Sequence, residues 1–130
     1  MSEFSIAVYA DGQGGLDLLS ALTVPVPWPQ ASYRMYAETQ DLADLTKIGV
    51  GWPSAEWRFP VLTLAQRHQL REFCATASAR VYIRTIDDEG EYADYLAVMV
   101  WPEEDPAIRA GFVLDLVIRF EALELQQEPS

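Results

Sequence analysis

The stretch that most constrains this chain is "GFVLDLVIRFEAL", residues 111–123. Phe112, Leu114, Leu116, Ile118 and Phe120 fall on one side of it, and Val113, Asp115, Val117, Arg119 and Glu121 on the other. Period two is the repeat of a strand, whose successive side chains point to opposite faces. A helix would instead need apolar residues three and four apart. A strand this long has no stable existence alone, so the rest of the chain must supply ladder partners and a core. "RVYIRTID" (80–87) and "EYADYLAVMVW" (91–101) alternate in the same way and are joined through a turn containing Glu89-Gly90, which makes them a hairpin. Upstream, "FSIAVYA" (4–10) and "SYRMYAET" (32–39) read as further strands. "LDLLSAL" (16–22) fits a short strand or a short helix equally, and the stretch that follows residue 39, through "KIGVGWPS", reads as mostly irregular.

Two segments break the β pattern. "TVPVPWPQ" (23–30) sets prolines at alternate positions, which removes ladder donors and restricts the preceding residues. This is an extended arm or edge rather than a central strand. Around residue 63 the pattern turns helical. Thr63 and Gln66 have the spacing of a capping box, and Leu70, Phe73, Cys74 and Ala77 follow as an apolar stripe, with Arg67 and Arg71 on another side. These signals predict a mostly β (α+β) domain: a β-sandwich or split barrel with one packed α-helix between early and late strands. At 130 residues, half of them hydrophobic, the chain reads as one domain (1–130) with one core and a frayed end around 125–130.

Chemistry has few places to reside. His68 and Cys74 are the only histidine and the only cysteine. On one helix, six residues turn them about 120° apart with roughly 9 Å of rise, so they are not a catalytic dyad. One His and one Cys do not make a zinc centre. "DDEGE" (87–91) lacks the glycine of a calcium loop, with Tyr92 in its place, and Gly12, Gly14 and Gly15 fail both phosphate-loop patterns. We therefore expect no catalytic residues, no metal and no cofactor. No apolar stretch reaches the length of a membrane-spanning helix and the N-terminal residues lack a secretory pattern, which fits a cytoplasmic product. The net charge of −11 argues against direct, sequence-specific nucleic-acid binding and against anionic membranes.

What remains is surface. Between Trp57 and Ile86 lie five arginines (58, 67, 71, 80, 84) and a single acid, Glu72; from Asp87 onward there are twelve acids but only Arg109 and Arg119 as cations. Such a split can align copies of one chain basic patch to acidic patch. Three of the four tryptophans adjoin proline, and Trp28 and Trp52 stand in loop-like settings that suit interface anchors, whereas Trp57 suits the core.

The succession "EWRFPVLTLAQRHQLREF", "ARVYIRTIDDEGEYADYLAVMVWP" and "FVLDLVIRFEALE", about Ala55 to Glu124, resembles small tail proteins of long-tailed bacteriophages, of the distal-tail and tail-tube kind. The resemblance implies a tail-tube-like fold flanked by a helix. It also implies a virion tail subunit assembled in the bacterial cytoplasm, a ring, commonly a hexamer, around a DNA channel, and neighbouring tail proteins as partners. The contact residues expected on this reading are Trp28, Trp52, Arg67, Arg71 and Arg84. The rival is a small acidic inhibitor or immunity-type protein that binds a basic enzyme through Asp87, Asp88, Glu89, Glu103, Glu104 and Asp105.

Overall fold

A computed structural model describes residues 4–35, 38–44, 46–50, 52–87, 89–102 and 108–126. The strands are β1 (Ser5–Val8), β2 (Asp17–Leu18), β3 (Gln30–Arg34), β4 (Glu38–Asp41), β5 (Lys47–Val50), β6 (Ser54–Thr63), β7 (Ser78–Ile86), β8 (Tyr92–Val100), β9 (Ile108–Arg109) and β10 (Phe112–Leu125), with helix α1 (Leu64–Arg71) between β6 and β7. The mostly β expectation with one α-helix holds. Seven strands form one antiparallel sheet in the order β2-β1-β7-β8-β10-β6-β3, β9 pairs with β10, and β4 and β5 form a separate ribbon. That ribbon corrects the reading of its region as irregular. The undecided stretch at 16–22 resolves into β2 followed by a single 3-10 turn, Leu19–Ala21.

Side chains from several strands of the sheet meet in one core. Trp57 of β6 is fully buried and its Nε1 donates to Thr85 Oγ1 of β7 at 2.9 Å. Phe4 meets the Trp57 ring edge-on at 5.8 Å, and Phe120 of β10 meets it at 4.6 Å. β6 and β7 are not ladder neighbours, so the Trp57–Thr85 bond joins strands that the ladder does not, whereas Phe120 is a diagonal neighbour of Trp57 on the β6–β10 pair.

The curvature is concentrated in β10. Its first part pairs with β6 and its later part with β8. The single alternation expected over 112–120 does not hold: Val113, Leu116, Ile118 and Phe120 are buried, while Phe112 is exposed. The phase changes at Asp115, whose φ is +59°. Its place opposite, between the Leu114–Val61 and Leu116–Phe59 pairs, is taken by Pro60. Proline has no N–H to offer, and aspartate tolerates the left-handed region better than most residues. The two strands therefore kink together and keep register: β6 is buried at Ala55, Trp57 and Phe59, and again at Leu62. A second slip, between Glu121 and Glu124, surrounds Ala122 at φ +53°, where Leu123 N–H donates to Pro53 O.

Helix α1 begins as its sequence predicts. Gln66 N–H donates to Thr63 Oγ1 and Thr63 N–H to Gln66 Oε1, which closes the capping box. Gln66 Nε2 also reaches Pro25 O at 2.9 Å, and Val24 N–H donates to Gln69 Oε1 at 3.1 Å. The proline-rich arm is thereby pinned along α1 of its own chain, with Val26 buried beneath it. The helix ends at Arg71, so Leu70 is buried from within it, Cys74 is buried from the turn beyond, and Ala77 is exposed.

Candidate interaction surface

β3 terminates the main sheet. Its burial alternates, with Gln30, Ser32 and Arg34 exposed and Ala31 and Tyr33 turned partly inward. Antiparallel pairing with β6 sets Gln30 opposite Arg58 and Arg34 opposite Ser54. Trp28 lies just before β3 and Trp52 just before β6, so the pairing puts them at opposite ends of the same edge. Trp28 is 52% exposed, with Phe4 edge-on beneath it at 5.9 Å, and Trp52 is 58% exposed. Met35, directly after β3, is 44% exposed. Of the five expected contact residues, the two tryptophans are accessible.

A groove of about 640 Å³ opens beside Trp52 on the outer face of β3, β6 and β10. Arg34, Glu56, Arg119 and Glu121 line it with alternating charge. Cross-strand register produces the pattern, since Arg119 of β10 lies opposite Glu56 of β6 and Glu56 opposite Ser32 of β3. Neither the tryptophan rim nor the charge rows are visible in any single segment, because the first needs two strands in register and the second three.

The arginines follow a different logic. Arg67 and Arg71 sit over the Trp101 ring at 5.6 and 4.6 Å, and Arg71 Nη1 also donates to the carbonyls of Cys74 and Thr76. Arg84 clamps Asp94 with two bonds, Nε to Oδ1 at 2.5 Å and Nη2 to Oδ2 at 3.0 Å. Arg80 covers Tyr9, and Arg58 bonds Asp115 at 2.6 Å. All five arginines of the basic segment thus contact their own chain, two of them through acids of the C-terminal segment. The split that the sequence offers for contacts between copies is partly closed within one copy, because β-ladder register sets Arg84 opposite Asp94 and Arg58 near Asp115.

His68 is exposed on α1, while Cys74 is buried beyond its end with Sγ directed at the carbonyls of Thr76 and Met99. Burial pushes the Cys74 thiol above its usual range, against a smaller opposing effect of the Arg71 charge and a backbone hydrogen bond. Among the described residues no group of three or more His, Cys, Asp or Glu side chains is arranged to hold a metal ion. Among the acids of the rival reading, Asp87 is spent on its own turn, where Oδ1 accepts from the N–H groups of Glu89 and Glu91. Glu89 is exposed, and Asp88, Glu103, Glu104 and Asp105 lie outside the described residues. Among the described residues no helix is long and apolar enough to cross a membrane. No protein-family model, no curated protein and no solved structure matches the chain.

Proposed function

We propose that this chain is a structural subunit of a bacteriophage or prophage tail, a distal-tail or tube-like protein that works by assembling into a ring around the DNA channel. The observation that carries this reading is the element order β6, α1, β7, β8, β9, β10. An aromatic strand leads through a capped helix into a hairpin, and a long bent strand then closes back onto the first. It is the arrangement that the tail-protein resemblance implies over Ala55 to Glu124. The accessible Trp28 and Trp52 supply apolar anchors of the kind that dominate protein interfaces. The charged outer face gives such contacts orientation.

Native mass spectrometry over a concentration series, with negative-stain electron microscopy of the same samples, tests the proposal. A closed ring with a central opening, six subunits above all, is the expected result. A monomer at every concentration that instead forms a tight one-to-one complex with a basic enzyme would replace this reading with the inhibitor.

A further inference from the structure

The two ends of the main sheet are protected unequally. β2 is two residues long and carries Asp17, and short or charged edge strands resist pairing. β3 has five residues with no proline, lysine or acid, and among the described residues its only ladder partner is β6. Trp28 projects at one end of it, and Met35 and Trp52 at the other. This is an uncapped edge with an apolar anchor at each end.

We propose that β3 pairs antiparallel with β3 of a second copy about a two-fold axis at Ser32, giving one sheet continuous through both chains. The pleat limits the possible registers. Gln30, Ser32 and Arg34 face outward and Ala31 and Tyr33 inward, so face-to-face continuity requires outward residues to oppose outward ones. Full overlap of the five residues then sets Ser32 opposite Ser32 of the second copy and Gln30 opposite Arg34. No like charges meet, and neither strand brings an acid to the seam although the chain is strongly acidic overall. The same rotation brings Trp28 of each copy to the end where the other carries Met35 and Trp52, beside the groove. Both exposed tryptophans find cover in a single operation, as a self-complementary contact requires. The contact does not depend on the tail reading. It adds pairing between copies, or between rings, whichever way a ring closes.

Disulfide trapping tests it. Residues directly opposed in an antiparallel pair lie about 4.5–5.5 Å apart at Cα, within disulfide range. The native thiol of Cys74 is buried and does not compete. Under mild oxidation Ser32→Cys should give covalent dimer about tenfold or more faster than Ala77→Cys, an exposed control, because pairing raises the local thiol concentration. An equimolar mixture of Gln30→Cys and Arg34→Cys should give the mixed dimer ahead of either self-dimer, and Trp28→Ala/Trp52→Ala should slow trapping of Ser32→Cys. Trapping of Ser32→Cys no faster than the control, or Gln30→Cys trapping to itself fastest, would overturn the proposal. So would a wild-type chain with no even-numbered species in native mass spectra. Rings without Ser32 trapping would remove this contact and leave the tail reading standing; trapped dimers without rings would do the reverse.

Discussion

Trp52 and Trp57 stand five residues apart on either side of "PSAE", yet one is 58% exposed and the other fully buried. Trp57 belongs to the seam where β6 meets β7 in the core, and Trp52 to the rim where the sheet stops. At the seam the indole is enclosed by Phe4 and Phe120, and its N–H has an acceptor in Thr85. A buried indole N–H without an acceptor loses its hydration with no return. At the rim the described residues leave Trp28 and Trp52 more than half exposed, open to water or to another molecule. The contrast separates residues that make the fold from residues that remain available once it is made.

The largest effect should come from the seam. Trp57→Ala removes the largest buried side chain among the described residues and leaves a cavity in the core, and it should destabilise the protein by about 3–5 kcal/mol, measured by chemical denaturation. A loss under about 1 kcal/mol would mean that the core does not depend on this side chain. Thr85→Val keeps the volume and removes only the acceptor. It should cost about 1–3 kcal/mol, since the Trp57 N–H is then buried without a partner. A neutral result would show that the packing of Trp57 matters and its hydrogen bond does not.

The seam was legible in the sequence more than the rim was. Alternation survives over 81–86 and 95–101 because β7 and β8 pair without a slip, with Val81, Ile83 and Thr85 all inward. The start of α1 was legible because Thr63 and Gln66 interact locally. The kink at Asp115 was not, because it depends on Pro60 lying opposite, a relation created only by strand pairing. Ribbon β4–β5 carries "ETQD" and "KIGV", too little apolar alternation to read. Trp28 and Trp52 stood out as tryptophans beside prolines, whereas nothing local linked them to a single edge. The arginines were misleading for the same reason. Arg84 finds Asp94 and Arg58 finds Asp115 across ladders, so a charge split along the chain is not a charge split on the surface.

The smallest effect on folding should come from the rim. Trp28→Ala and Trp52→Ala remove side chains that are already more than half in water, so each should change the stability of the isolated chain by about 0.5 kcal/mol or less. Trp28 is the more exacting case, because Phe4 lies against it and links the rim to the seam. Aromatic contacts of this kind add about 0.5–1.5 kcal/mol, so a larger loss at Trp28 than at Trp52 would assign part of its surface to the core. If denaturation at low protein concentration shows both substitutions near neutral while association at high concentration falls, the rim acts only between molecules. If both destabilise the dilute chain by as much as Thr85→Val, the rim is a second seam, and the line drawn here between making the fold and using it disappears.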